Sequence, residues 1–160
     1  MVKPETAASW LQKMVRAEAA LASTADVMLS GQYTRIEVPV GQCACVTCGI
    51  VLPWSSPSYK GRQMQGGHWI PKSQGREMLM LLEDNVWPQC SLCNLPETRA
   101  GGWGNREIFN GFILHHLGFA RFQIIERLKT ATMTADEINE LSDHYRVRYR
   151  KAKQELERYG

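Results

Sequence analysis

The sequence predicts an α+β fold in which a small core is flanked by N-terminal and C-terminal helices. Three observations support this class: apolar residues recur at helical spacing near both ends of the 160-residue chain, the middle is rich in Gly, Pro, Ser and Cys, and two Cys-x-x-Cys pairs lie within it. We divide the chain into an N-terminal helical segment 1–40, a core 41–117 and a C-terminal helical segment 118–160.

The N-terminal segment has a helical pattern that begins at Pro4, a residue suited to the first turn of a helix. We predict an amphipathic helix from residue 5 to about residue 23, and a shorter helix from Thr24 to Leu29 that Gly31 ends. Residues 33–40 alternate weakly between apolar and polar side chains, so we expect them to be extended.

The C-terminal third is predicted to be helical over residues 106–117, 119–129 and 135–159. Asn105 is the expected cap of the first of these helices. Thr134, followed three residues later by Glu137, forms the pattern of a capping box for the last one.

The core offers only short strand candidates, at residues 49–54 and 64–70, so we expect something besides apolar burial to stabilise it. Two residues between paired cysteines allow one tight turn to present both sulfurs to a metal, and two such turns complete a tetrahedral thiolate site. The predicted ligands of this structural Zn²⁺ are Cys45, Cys48, Cys90 and Cys93. A redox pair and uncoordinated core cysteines are the alternatives, and Cys43 is expected to be a bystander.

The composition favours an intracellular protein. The start of the chain lacks a signal-peptide pattern, and no apolar run approaches the ~20 residues that a membrane span needs. Because the cysteines form metal-type pairs rather than a disulfide framework, we expect a reducing, cytoplasmic location and no membrane partner. The net charge of +3 alone says little about partners.

A Gly-His dipeptide, Gly67-His68, lies between the cysteine pairs, Asn85 precedes the second pair and Asn94 follows it. A lone histidine is a weak signal. The whole pattern of Cys-x-x-Cys, Gly-His and Asn-Val-x-x-Gln-Cys-x-x-Cys-Asn, however, resembles the HNH, or ββα-metal, nucleases over residues 45–117. In more detail it resembles the phage recombination endonuclease family called Rap or NinG, whose relative is the Holliday-junction endonuclease VII family.

The resemblance implies a ββα-metal core in which His68 is the general base and Asn85 holds the hairpin and orients His68. It also implies that Asn94 binds a catalytic Mg²⁺ or Mn²⁺. Many family members carry Asp before the histidine, where this chain has Gly67, so we expect another acid, first of all Glu97. Lesser candidates are Asp84 and Gln65.

Basic side chains flank these positions and recur near the C-terminus, as contacts to DNA phosphates require. The candidates are Lys60, Arg62, Lys72, Arg76, Arg99, Arg106, Arg146, Arg148, Arg150 and Lys151. For the C-terminal run, the alternative is a solvated helix face that pairs with Glu155 and Glu157.

The leading functional hypothesis is a metal-dependent, structure-selective DNA endonuclease that acts at branched DNA, a Holliday junction or D-loop, in phage recombination. Such a protein would be phage or prophage encoded in a bacterial host. We expect a homodimer, since two nicks resolve a junction, with the N-terminal or the long C-terminal helix as interface. The alternatives are a sequence-specific HNH nuclease of the restriction or homing type and a non-catalytic zinc-ribbon DNA-binding protein.

Overall fold

The computed structural model describes residues 1–55, 62–95 and 106–159, in which five helices pack around three two-stranded antiparallel sheets. The sheets pair β1 with β2, β3 with β4, and β5 with β6. The predicted α+β class with helices at both ends is confirmed. In chain order the elements are α1 (Pro4–Ala19), β1 (Thr24–Leu29), β2 (Gln32–Glu37), β3 (Gln42–Ala44), β4 (Val51–Pro53), β5 (Met64–His68), α2 (Glu77–Met80), β6 (Val86–Cys90), α3 (Arg106–Leu117), α4 (Phe119–Arg127) and α5 (Ala135–Leu156).

Helices α1 and α5 pack against each other through faces rich in small residues. The buried residues of α1 recur every three or four positions, which places them on one face. Together the two faces comprise Ala7, Ala8, Leu11, Met14 and Ala17 of α1 and Ile138, Ser142, Tyr145, Ala152 and Leu156 of α5. The apolar helix faces that we expected at a dimer interface are therefore buried within one protomer.

Residues 24–29 form a strand, so the predicted helix there is wrong. Strand β1 pairs with β2 from Thr24 opposite Glu37 to Leu29 opposite Gln32. The connecting residues Ser30 and Gly31 have φ angles of 52° and 81°, as a type I′ turn requires. The N-terminal segment 1–40 is thus a helix followed by a β-hairpin.

The remaining helix predictions agree with the structure apart from two ends: α1 ends at Ala19, before the predicted residue 23, and α5 ends at Leu156, before the predicted residue 159. The capping box is confirmed: Glu137 N donates to Thr134 Oγ1 over 3.3 Å, and Thr134 N donates to Glu137 Oε2 over 2.7 Å. The proposed cap Asn105 lies outside the described residues. None of the helices in the described part of the chain combines the length and apolarity that crossing a bilayer requires.

The β5–β6 hairpin lies against the inner face of α1 and positions the candidate functional residues. Its register runs from Met64 opposite Cys90 to His68 opposite Val86. The Cys90 end is buried in an apolar cluster with Leu52, Met64 and residues from the C-terminal ends of α1 and α5. One end of the hairpin therefore carries the cysteines and the other end carries the histidine.

Candidate functional site

The four paired cysteines form one cluster, as predicted. The sulfurs of Cys45, Cys48, Cys90 and Cys93 all lie within 4.8 Å of one another, and Cys48 Sγ is 3.8 Å from Cys90 Sγ. A tetrahedral zinc with bonds of about 2.3 Å places its sulfurs about 3.8 Å apart. The cluster could therefore hold a zinc ion, and four thiolates would leave no coordination position for water.

The same backbone turn builds both halves of the cluster. Gly49 N donates to Cys45 O over 2.9 Å in the first pair, and Asn94 N donates to Cys90 O over 3.0 Å in the second. Gly49 has a φ of 72°, which favours glycine at that position. Each turn brings two sulfurs to one side, and Val46 N donates to Pro88 O over 3.0 Å, which joins the first turn to strand β6 and so to the second turn.

The surroundings of Cys45 favour a thiolate. Hydrogen bonds from Cys48, Cys90 and Cys93 lower the pKa of the Cys45 thiol far below its ordinary value. The same contacts raise the pKa of the Cys48 and Cys93 thiols, so zinc binding, which requires thiolates, would release protons from the cluster.

Cys43 lies outside the cluster, which agrees with its expected role as a bystander. Its Sγ donates to Arg16 O over 3.1 Å, and burial raises the pKa of this thiol to about 12. Cys43 therefore stays protonated at neutral pH and packs as a small apolar residue.

His68 ends strand β5, four residues from the position paired with Cys90, or about 13 Å along the strand. Its Nε2 lies 3.0 Å from Met80 O, and a carbonyl can only accept, so Nε2 carries the proton and Nδ1 is the acceptor. Burial, with a smaller contribution from nearby Lys72, lowers the pKa of His68 to about 4. The ring is therefore neutral at pH 7 and able to accept a proton.

Asn85 is fully buried and connects the two segments that surround His68. Its Oδ1 accepts from Ile70 N over 2.8 Å, and its Nδ2 donates to Ile70 O and to Leu79 O. Leu79 directly precedes Met80, whose carbonyl anchors the His68 ring. Asn85 thus holds the frame around His68 and makes no hydrogen bond to the histidine itself.

Asn94 lies at the cysteine end of the hairpin. Its Nδ2 donates to Gln65 Oε1 over 2.8 Å, and Gln65 precedes His68 by three residues, about 10 Å of strand. The described geometry therefore does not bring Asn94 to His68. Asp84 is engaged elsewhere, by Arg121 Nε at 2.6 Å.

The predicted acidic ligand Glu97 lies outside the described residues. Within the part of the chain that the structure describes, the four cysteines are the only group of three or more His, Cys, Asp or Glu residues placed to hold a metal. Asn94 with its amide partner Gln65 does not make a Mg²⁺ site, because that ion prefers carboxylate oxygens. The described residues alone therefore do not fit a catalytic metal.

The packing explains why glycine precedes His68. A Cβ on Gly67 would lie 2.9 Å from Cβ of Gln89, a residue that is only 1% exposed. The Gln89 amide nitrogen in turn lies 3.4 Å from Thr47 Oγ1, beside the first cysteine pair. Gln89 therefore occupies the space that an aspartate at position 67 would need.

Three of the predicted DNA contacts belong to the region around His68. Lys72 is close enough to lower the pKa of His68, and Arg76 is exposed in the same loop. Arg106 donates to Gln74 Oε1 over 3.1 Å, which places the start of α3 at this loop. Arg62 is half-buried near the cysteine end, while Lys60 and Arg99 lie outside the described residues.

The basic run of α5 divides into paired and free cations. Arg148 binds Glu18 on α1 and Glu83 before β6, each at 2.6 Å, so it has a structural role, and its DNA contact stays a prediction. Arg146 pairs with Asp143 at 2.7 Å. Arg150 and Lys151 are exposed. Of the pairs that the solvated-face interpretation expects, Lys153 with Glu157 is present at 3.5 Å, so that interpretation holds for this end of the run.

Fold and site together define a small α+β protein with a four-cysteine, zinc-type centre at one end of a β-hairpin and a neutral, largely buried histidine at the other. The chain belongs to the family described as Bacteriophage Lambda NinG protein, whose model matches residues 28–155. It is therefore a phage-type protein, and the membership suggests a role related to phage recombination. No curated protein and no solved structure matches the chain.

Sequence reasoning missed Gln12 and Arg16, two residues of α1 that contact the hairpin. Gln12 Nε2 donates to Gly66 O over 2.7 Å, and Arg16 Nη1 donates to Met64 O over 2.9 Å. Both lie before the matched residues 28–155, and on an amphipathic helix such side chains resemble ordinary surface residues.

Proposed function

We propose that the protein is a metal-dependent endonuclease that hydrolyses phosphodiesters of branched DNA during phage recombination. The observation that carries the proposal is the state of His68: its Nε2 is fixed by Met80 O, and its pKa of about 4 keeps Nδ1 unprotonated. A fixed, neutral imidazole can accept a proton at neutral pH, and an anionic phosphate bound beside it would raise its pKa from about 4 towards the range in which a general base is most effective.

In this proposal His68 Nδ1 takes a proton from the attacking water. Asn85 keeps the ring in place through its bonds to Ile70 and Leu79. Lys72 and Arg76 would bind the neighbouring phosphates. The resemblance names Asn94 and Glu97 as ligands of a divalent metal, which would supply stabilisation of negative charge on the phosphate. The described geometry instead holds Asn94 beside Gln65, about 10 Å of strand from His68, and Glu97 lies outside the described residues, so the metal ligands stay a prediction.

The test is cleavage of labelled four-way, flap and linear DNA, with and without added Mg²⁺ or Mn²⁺. We expect metal-dependent cutting of the branched substrates and a loss of at least about a hundredfold in His68→Gln. His115→Gln, which alters an exposed histidine that stacks on Tyr33, is the matched control and should keep its activity. Cutting that follows one sequence and ignores branches would contradict the proposed selectivity.

A second candidate is a non-catalytic zinc-ribbon protein that binds DNA. The packing of Gln89 over Gly67 favours it, because this packing excludes an aspartate that many HNH nucleases use as a metal ligand. Branched-DNA binding without metal-stimulated cleavage would select this candidate over the nuclease.

We further propose that the active form is a homodimer, since a junction needs two nicks. Because the apolar faces of α1 and α5 are buried within the protomer, the interface would use other surfaces. Light scattering with and without junction DNA tests this, and a monomer in both conditions would contradict it.

A further inference from the structure

A polar cavity of about 320 Å³ opens between α1 and the cysteine end of the hairpin. Its lining consists of Gln12, Arg16, Gln65, Gly66 and Asn94. Three of these residues carry side-chain amides, one carries a guanidinium and none carries a carboxylate. The cavity therefore offers hydrogen-bond donors and one positive charge, a composition that suits an anion.

Arg16 is held rigidly by backbone carbonyls. Its Nε donates to Gln12 O over 3.2 Å, and its Nη1 donates to Met64 O over 2.9 Å and to Trp54 O over 3.4 Å. These bonds fix the guanidinium plane and leave the two N–H groups of Nη2 without a hydrogen-bond partner in the described part of the chain.

Arg16 also has no carboxylate partner among the described residues. None of the ion pairs among the described residues includes Arg16, whereas Arg35, Arg121, Arg146 and Arg148 all pair with acids. Burial lowers the pKa of Arg16, and the groups that oppose this shift are Cys43 and Tyr149 rather than a carboxylate. A rigid guanidinium with free donors and no carboxylate partner is suited to a phosphate group, which accepts its parallel N–H bonds.

We propose that this cavity is a phosphate subsite, in which Arg16 Nη2 and the amide of Gln12 bind a backbone phosphate of the DNA strand that passes His68. The inference rests on the proposed function and deepens it, because it assigns substrate binding to α1. The cavity lies along the same hairpin as His68, with Gln65 about 10 Å away along the strand, so one strand of DNA spans both. Arg16 is a binding residue here and takes no part in proton transfer.

The experiment measures the affinity of the full chain for a four-way junction as a function of salt, without added divalent metal. Arg16→Gln removes the charge, and Arg158→Gln, at an exposed position near the end of α5, is the control for net charge. We expect Arg16→Gln to weaken binding about tenfold and to reduce the salt slope by about 0.9, as loss of one phosphate contact does. Arg158→Gln should leave both unchanged.

Because Arg16 also binds backbone carbonyls, a second variant adds charge without removing those bonds. Gln65→Glu keeps an oxygen that can accept from Asn94 Nδ2 and places a carboxylate in the cavity. It should reproduce the loss of affinity while the melting temperature and zinc content stay at the wild-type values. Full affinity in Gln65→Glu, or an unchanged salt slope in Arg16→Gln, would overturn the subsite.

A parallel titration with inorganic phosphate distinguishes the source of the anion. Phosphate binding that Arg16→Gln abolishes, together with unchanged affinity for DNA, would overturn the assignment to the DNA backbone. Weaker junction binding by Arg16→Gln supports the subsite even if the wild type does not cleave DNA. The cleavage assay tests the nuclease proposal, and the binding assay tests the subsite, so the two can fail independently.

Discussion

Gly67 is a position at which a single methyl group should change the stability of the hairpin. An added Cβ would lie 2.9 Å from Cβ of Gln89, which is buried and cannot move freely. We expect Gly67→Ala to lower the free energy of unfolding by about 1–3 kcal/mol, the usual cost of overpacking a core. Urea denaturation monitored by tryptophan fluorescence measures it.

The matched control for this prediction is Gly111→Ala in α3. There the added Cβ would lie 3.3 Å from the terminal methyl of Met28, a flexible group, and alanine favours a helix by about 1 kcal/mol over glycine. A stability of Gly67→Ala equal to that of the wild type would show that Gln89 moves aside and that an acid could be accommodated at position 67.

His68 should make stability depend on pH in a defined window. Its pKa is about 4 in the folded chain, against an ordinary value of 6.5, so the unfolded chain binds the proton more tightly. The contribution of neutral His68 to the free energy of unfolding is fully present above about pH 6.5 and is lost as the pH falls through about 4. At about 1.4 kcal/mol per unit of pKa, the loss is ~3 kcal/mol at most.

The difference in unfolding free energy between wild type and His68→Gln, measured from pH 7.5 to 4, isolates this contribution from that of the cysteines. We expect the wild type to lose its advantage progressively below pH 6.5. A difference that is constant over this range would show that the imidazole is exposed and ordinary.

At the scale of elements, strand β1 is the segment that the sequence pattern wrongly predicts to be a helix. Val27 and Met28 are adjacent and both buried, because Val27 packs with Val38 and Ala44 while Met28 packs under α3. A strand covered on both faces loses its polar–apolar alternation, so its pattern imitates a short helix. The Ser30-Gly31 dipeptide between the two runs was the local signal for a hairpin.

The basic run of helix α5 should contain cations of two kinds, some that stabilise the fold and others that bind DNA. Arg148 connects α5 to Glu18 and Glu83, whereas Arg150, two residues later, is exposed. We expect Arg148→Met to lower the free energy of unfolding by about 1 kcal/mol, because these pairs are partly solvated, and to leave the salt slope of DNA binding unchanged.

Arg150→Met should show the opposite behaviour. Its stability should equal that of the wild type, and its salt slope for junction DNA should fall by about 0.9 for one lost phosphate contact. Urea denaturation and fluorescence anisotropy on the same two variants provide the comparison. A reduced salt slope in Arg148→Met would contradict this expectation and support the predicted DNA contact of that residue.

At the scale of the whole molecule, the sequence predicts features that neighbouring residues determine and misses contacts between segments that are distant in the chain. The spacing of Cys45, Cys48, Cys90 and Cys93 indicates a common metal because each pair is closed by its own short turn. The contacts of Gln89 with Gly67, and of Met80 O with His68, arise only after distant segments pack. Arg16 is the extreme case, because its partners Trp54 and Met64 are 38 and 48 residues away.

Zinc removal should therefore unfold the chain rather than loosen one loop. The cysteine cluster is continuous with Leu52, Met64 and the inner faces of α1 and α5, so the metal would be part of the main core. Structural zinc contributes about 10–16 kcal/mol, as much as the whole stability of an ordinary domain, about 5–15 kcal/mol. We expect one zinc per chain, and a chelator should abolish the near-ultraviolet circular dichroism and the cooperative melting transition.

Two cysteine variants test whether this effect passes through the cluster. Cys48→Ser removes one ligand and should reproduce the chelated state, with zinc content falling well below one per chain. Cys43→Ala removes a buried thiol outside the cluster and should keep full zinc, at a cost of about 1 kcal/mol for the lost bond to Arg16 O. A chelated protein that still melts cooperatively at the original temperature would mean that apolar packing of α1 on α5 suffices for the fold. In that case the metal would have to be assigned a role in holding the hairpin for DNA rather than in folding.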